Sequence, residues 1–235
     1  MKGFFKIIVY TIYMVFVRLK GIKYGFLRKF KGIDAATEYS GRVLYYWSKF
    51  TVNIIGIDLE IIGKDNIPKE PCVFIGNHTS ILDIPVLAYS AERSIGFIAK
   101  SELLKAPFIG YWLKRGSSVA LDRDNPRDAI RVINEGVTNI KNGLSMAIFP
   151  EGTRSKDGKV MEFKKGSLKL ATKAKAPIVP VTIDGAYKSY EKDKKFQPSK
   201  IVITFGKAIP TDTLSREEEK LLTDKVRDIV ISNLK

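Results

Sequence analysis

The sequence predicts an α/β fold: a mixed, largely parallel sheet covered by helices, preceded by a two-helix membrane-associating segment. Three observations carry this expectation. From residue 58 onward, short apolar runs alternate with stretches of helical period, the pattern of strand–helix units. Residues 1–57 instead read as long apolar and aromatic segments laced with Lys and Arg. Finally, the 235-residue chain holds one Cys and one His, so disulfides and His- or Cys-based metal cages are excluded as its staples. A chain of this length supplies one α/β domain plus an appendage and buries enough apolar surface to do without them. The expected division is therefore 1–57 for the N-terminal helices and 58–235 for the α/β domain.

The N-terminal segment comes first. Ile7 to Val17 is an uncharged run of eleven residues, roughly 16 Å of helix against the roughly 30 Å of a bilayer core. It is too short to span unless Lys6 and Arg18 snorkel and the bilayer thins. No small-x-small cleavage site follows Val17, and a basic cluster from Arg18 to Lys31 takes its place, so a signal peptide is not indicated. A second segment, Ala35 to Ile57, contains Leu44-Tyr45-Tyr46-Trp47 and Phe50, aromatics that suit a membrane–water interface. The reading is two helices lying in one leaflet, with cations against anionic headgroups. A pair of core helices packed on the domain is the alternative.

The strands expected beyond are Leu59–Ile62, Cys72–Gly76, Ile95–Ala99, Ser118–Leu121, Met146–Phe149, Ile178–Ile183 and Ile201–Phe205. Two helices have clear starts. One is expected at Asn125 as N-cap, with Pro126 in its first turn and Ile130, Ile133, Val137 and Ile140 on one face, closed by Gly143. The last starts with Ser215 and Glu218 at capping-box spacing and runs through Leu221, Leu222, Val226 and Ile229. Tyr187–Lys200, rich in Lys, reads as a flexible loop.

Charge narrows the partners. Forty Lys+Arg against 25 Asp+Glu give +15, a field that draws nucleic acid, an anionic membrane or a phosphorylated substrate. Two motifs choose among these. Asn77-His78-Thr79-Ser80-Ile81-Leu82-Asp83 follows the Cys72–Gly76 run, so the lone His sits at a strand's carboxyl end, where α/β sheets build sites. A neutral imidazole takes a proton near pH 7, and Asp83 would hold it if it falls in the first turn of a helix starting at Thr79 or Ser80. The same Ser-x-x-Asp spacing also suits a plain helix N-terminus. Phe149-Pro150-Glu151-Gly152-Thr153-Arg154-Ser155 follows another strand. Amides around Gly152 would approach an anion closely, and Arg154 would grip a phosphate bidentately. A charged turn closing a strand gives the same pattern. Between the motifs, Lys100 and Arg123 also end strands, and three cations opposite one base suit an anionic substrate. A nucleic-acid-binding or membrane-scaffold protein would account for the charge but not for FPEGTRS or the lone His.

On these residues the sequence resembles the glycerolipid acyltransferase family, in particular the bacterial 1-acyl-sn-glycerol-3-phosphate acyltransferases. Asn77-His78 through Asp83 matches the family's NHxxxxD block, Lys100 to Arg123 its second, Phe149 to Ser155 its third, and Val179-Pro180-Val181 its short fourth. The resemblance covers about residues 58–210. It implies that His78 is a general base and Asp83 its partner. Glu151, Gly152, Thr153 and Arg154, helped by Lys100 and Arg123, would bind the lipid phosphate. The implied reaction moves an acyl chain from an acyl-CoA or acyl-carrier-protein thioester to the sn-2 hydroxyl of lysophosphatidic acid, giving phosphatidic acid. Glycerol 3-phosphate or another lysophospholipid is the alternative acceptor. No metal, cofactor or nucleic acid is expected. The implied location is the cytoplasmic face of the cell membrane, held monotopically. Cys72, inside a strand with no nucleophile elbow around it, reads as a buried apolar residue rather than an acyl carrier.

Overall fold

The computed structural model describes residues 2–125 and 127–235. Two long helices, α1 (Lys2–Phe30) and α2 (Ile33–Ile55), lead into β1 (Asp58–Ile62), β2 (Val73–Gly76), α3 (Asp83–Ser90), β3 (Ile95–Lys100), α4 (Ile109–Leu113) and β4 (Val119–Leu121). Then follow α5 (Asp128–Lys141), β5 (Ser145–Ile148), α6 (Lys169–Ala174), β6 (Ile178–Asp184), α7 (Ala186–Ser189), β7 (Lys200–Phe205) and α8 (Arg216–Ser232). All seven expected strands form, each within one residue of its expected bounds.

The strands make one sheet in the order β1-β7-β6-β2-β5-β3-β4. Every neighbouring pair is parallel except β6–β7. The central strands β2 and β6 are apolar on both faces, as strands covered on both sides must be. On one face lie Val52 and Ile55 of α2 with Val86 and Leu87 of α3. On the other lie Val132 of α5, Leu170 of α6, and Leu222, Val226 and Val230 of α8. Because β2, β3, β4, β5 and β6 run the same way, their carboxyl ends share one rim.

Helix α5 starts at Asp128, after Arg127, rather than after Asn125; Pro126 lies outside the described residues. Asp128 also accepts from the Asp122 amide, which ties its first turn to the end of β4. Its buried stripe is Val132, Gly136 and Ile140. Ile130 points to solvent: two residues before Val132, it lies about 200° round the helix from it, away from α6 and the sheet. Gly136 is small because Leu170 lies against it: a Cβ there would sit 2.6 Å from the leucine methyl. In α8 the capping box forms as expected, but Leu221 is exposed while Leu222 and Val226 carry the burial.

The N-terminal helices divide the two roles between them. Helix α2 is part of the core, and its C-terminus is closed by Gly56 in the left-handed region (φ +88°), which directs the chain into β1. Helix α1 packs on α2 through aromatics. Tyr13 stacks on Phe50 at 3.7 Å, and Trp47 donates to the Tyr10 hydroxyl at 3.2 Å. Of the α2 aromatics, Trp47 and Phe50 thus serve helix pairing, Tyr45 packs on Tyr89 of α3, and Tyr46 is strongly exposed. The outward apolar band belongs to α1: Phe5, Ile12, Phe16, Leu19, Ile22 and Phe26 are all more than half exposed. No helix among the described residues is long and apolar enough to cross a membrane.

Gly96 in β3 tests the tightness of the sheet. A Cβ there would lie 2.7 Å from the Met146 sulfur and against the Ser117 carbonyl. Gly96→Ala should lower the unfolding free energy by about 1–3 kcal/mol, read as a lower urea midpoint at unchanged slope.

Candidate active site

Two loops leave the rim side by side, one after β2 and one after β5, and each holds the other. Asn77 is fully buried and extends the sheet with its side chain, donating to the Ile183 carbonyl and accepting from the Ile183 amide, both at 2.9 Å. The next residue, His78, is gripped through its backbone. Its amide donates to Glu151 Oε1 at 2.7 Å, and its carbonyl accepts from the Ser155 amide at 2.8 Å. Its ring lies flat on Phe149, with centroids 4.4 Å apart and planes 13° from parallel.

His78 Nδ1 lies 2.8 Å from Asp83 Oδ2. An ionised carboxylate only accepts, so Nδ1 carries the hydrogen and Nε2 the lone pair. Nε2 has no partner among the described residues. Asp83 does reach back to the histidine, but not from within a helix that starts at Thr79 or Ser80. It is the first residue of α3, and a turn wraps over its carboxylate so that Oδ2 also accepts from the Thr79 amide at 2.7 Å and the Ser80 amide at 2.8 Å. Its complete burial pushes the carboxyl above the usual carboxylate range, while His78 and the two amides pull it back.

A cavity of about 470 Å³ opens in front of the imidazole, within the size range of small-molecule sites. His78, Lys100, Arg123, Gly152, Thr153 and Arg154 line one part of it. The remainder runs between the sheet and the N-terminal helices, walled by apolar side chains such as Val17, Leu44, Trp47, Phe97, Phe108 and Trp112. One space therefore has a cationic, base-bearing end and an apolar body.

Six of the eight residues singled out in the sequence line this cavity; Asp83 and Glu151 stand behind its wall. Glu151 is buried, its two oxygens taking the His78 amide and, at 3.2 Å, the Met161 amide. Gly152 is in the left-handed conformation (φ +73°). Of the amides around it, its own donates to the Phe149 carbonyl inside the turn. Lys100 is ion-paired with Glu102, and Arg123 has no ion pair among the described residues. Cys72 is buried, and burial pushes its thiol up, away from a reactive thiolate.

Two residues escaped the sequence reading. Lys164 places its ammonium 2.8 Å from where a Gly152 Cβ would be, adding a fourth cation near the cavity. Glu191 lies in the segment read as a flexible loop. That segment is instead folded down: Tyr190 stacks on Phe196, and Glu191 is buried against Ser80, Ile81 and Arg154. One acid in a Lys-rich stretch carries no signal of this, because its partners lie 37 or more residues away.

Glu151 gives a pH test. Burial pushes its carboxyl above the ordinary 4.5, outweighing the His78 and Met161 amides. The folded state then holds more protons than the unfolded chain over a window that opens near 4.5 and extends upward, so this contribution to stability is lost as pH rises. Glu151→Gln removes the titration. The unfolding free energy of wild type minus variant should therefore decline from about pH 4 to about pH 7; an increase would contradict the assignment.

Comparison with known proteins places this geometry in context. Residues 58–184, which contain both loops, match the family described as Acyltransferase. A 1-acyl-sn-glycerol-3-phosphate acyltransferase of Saccharomyces cerevisiae is 32% identical over 200 residues, 83% of this chain and 65% of the yeast protein. One of Borreliella burgdorferi is 31% identical over 79% of this chain and 75% of its own length. The chain spans 65% of the yeast relative and of that from Limnanthes douglasii, and 38% of the chloroplast relative from Brassica napus. The crystal structure of PlsC, the 1-acyl-sn-glycerophosphate (LPA) acyltransferase of Thermotoga maritima, superposes with a TM-score of 0.75 at 31% identity, covering 98% of this chain and 95% of that one. The chain belongs to the acyltransferase family, and the relatives it resembles carry the name 1-acyl-sn-glycerol-3-phosphate acyltransferase.

Proposed function

We propose that the protein transfers an acyl chain from a thioester to the sn-2 hydroxyl of lysophosphatidic acid, releasing phosphatidic acid and a thiol. The observation that carries this reading is one cavity that combines an Asp-held histidine, a cationic rim and an apolar body. Nε2 of His78 takes the hydroxyl proton as the oxygen attacks the thioester carbonyl. Asp83, fixed by Thr79 and Ser80, holds the tautomer and stabilises the imidazolium that forms. The ring face of Phe149 adds a weak attraction for that cation. On collapse of the tetrahedral intermediate, the imidazolium returns the proton to the departing thiolate, so histidine and enzyme are regenerated.

Arg154, Lys100 and Arg123 hold the phosphate end of the acceptor, with Gly152 and Thr153 shaping the wall beside it. Glu151 serves this site from behind, by fixing the His78 loop; a carboxylate facing a phosphate would repel it. The apolar body of the cavity takes an acyl chain. The donor is a coenzyme A or acyl-carrier-protein thioester, whose shared chemistry is the thioester itself.

The exposed band of α1 seats the protein in one leaflet at the cytoplasmic face, its cations against anionic headgroups. The cavity is bounded by α1 and α2, so a seated α1 brings its apolar body beside the bilayer and lets a lysolipid enter without crossing water.

Two measurements test this. Transfer from acyl-CoA to lysophosphatidate should be detectable and should fall about 10²–10⁴-fold in His78→Ala; retention of more than about a tenth of the rate would remove His78 as the base. Glycerol 3-phosphate and other lysophospholipids as acceptors should give slower transfer. Separately, Ile12→Asp with Ile22→Asp should reduce sedimentation with anionic liposomes at least about tenfold, given about 1.5–3 kcal/mol for each large apolar side chain buried, without lowering the melting temperature.

A further inference from the structure

We infer that Glu191, outside the acyltransferase family match at residues 58–184, is a positioning residue that sets the phosphate-gripping Arg154 in register with the His78 base. The inference rests on the acyl-transfer reading and adds to it a coupling between its two halves.

Glu191 is 6% exposed, and a buried carboxylate persists only where its charge and lone pairs are met. Each partner it has belongs to the catalytic rim. Oε1 accepts from Arg154 Nη1 and from the Ile81 amide, both at 2.8 Å. Oε2 accepts the Ser80 hydroxyl. Ser80 donates its amide to Asp83 Oδ2, the oxygen that holds His78. A continuous chain of hydrogen bonds therefore runs from Arg154 through Glu191, Ser80 and Asp83 to the imidazole.

The carboxylate itself is held firmly. The Gln197 amide donates to the Ser189 carbonyl, the Lys192 amide to the Tyr187 carbonyl, and the Tyr187 hydroxyl to the Lys156 carbonyl. The loop after β6 is thus closed on itself and tied to the Arg154 loop. Arg154 is 45% exposed on the cavity side. A long guanidinium in that position samples several rotamers unless one edge is fixed. With Nη1 engaged by Glu191, its remaining N–H groups are free to meet a phosphate, and they do so at a set distance from His78. The reaction needs that distance, because phosphate and sn-2 hydroxyl belong to one small acceptor and a displacement of about 1 Å at the base lowers the rate steeply.

The test uses full-length enzyme, lysophosphatidate and acyl-CoA, with initial rates per folded enzyme. Glu191→Gln keeps the size and one acceptor but removes the charge. It should raise KM for lysophosphatidate at least about fivefold, lower kcat, and leave KM for acyl-CoA within about twofold. Glu191→Asp, too short to reach Arg154 and Ser80 together, should show the same split. In an Arg154→Ala background, which already lacks the guanidinium, Glu191→Gln should have little further effect on acceptor KM and should raise the melting temperature, since the unpaired buried charge is gone. A variant that melts earlier but keeps both KM values and kcat would make Glu191 a fold residue only and overturn the inference, as would equal changes in both KM values. If one substitution does not fold, the other carries the kinetic comparison. Absence of transfer in wild type would instead remove the acyl-transfer reading, a separate outcome.

Discussion

The main chain of His78 is held from both sides by the loop after β5, its amide by Glu151 and its carbonyl by Ser155. This cross-loop clamp decides where the imidazole can be. It explains why the motif after β2 and the motif after β5 lie together: β2 and β5 are neighbouring parallel strands, so their C-terminal loops emerge about 4.8 Å apart, close enough for one backbone bond and one amide-to-carboxylate bond. Asn77 adds the third side by pairing with Ile183 of β6, the other neighbour of β2. With its backbone fixed, the ring has few rotamers left, and Phe149 and Asp83 select one.

A strongly basic protein has placed three carboxylates inside this rim: Asp83, Glu151 and Glu191. None is there for stability alone. An unpaired buried charge costs several kcal/mol, and even a paired one breaks even at best. Here each is met by backbone amides and, for Asp83 and Glu191, by one side chain that faces the cavity. Burial opposes ionisation of Asp83 and Glu151, so the amides matter twice: they keep the carboxylates useful as acceptors and fix their direction. The outcome is a rim on which His78 and Arg154, both facing the cavity, are aimed by buried acids that do not line it.

The N-terminal helices belong to the same construction. α2 contributes Val52 and Ile55 to the core, and Leu44 and Trp47 to the cavity wall. α1 closes that wall with Met14 and Val17 and turns its apolar face outward. Close approach is enforced by small residues: Gly21 accommodates the Tyr111 ring, which is covered by the Arg18 and Arg115 guanidiniums at 3.3 and 3.5 Å. A side chain at Gly21 would collide with the Tyr111 ring, which would have to move.

The sequence by itself determined the alternation of strands and helices, because apolar runs such as Val73–Gly76 and Ile178–Asp184 are bounded by turn residues and have no helical period. It also singled out the His78–Asp83 pair, since a lone His at a strand end with an acid five residues on is a local pattern, and the Ser215–Glu218 cap for the same reason. What it left open involved partners distant in the chain. Whether Ile130 or Val132 faces the sheet depends on how α5 is set against its neighbours: Val132 joins the core with Leu170 and Met146, and Ile130 is left exposed. Whether Glu151 meets a phosphate or a backbone amide depends on how closely β5 lies against β2. Glu191 has no local signal at all: its burial exists only because the loop after β6 closes over Ser80 and Arg154. Local periodicity is written in neighbouring residues, whereas the direction of a buried charge is decided by hydrogen-bond partners that only the assembled sheet brings within reach.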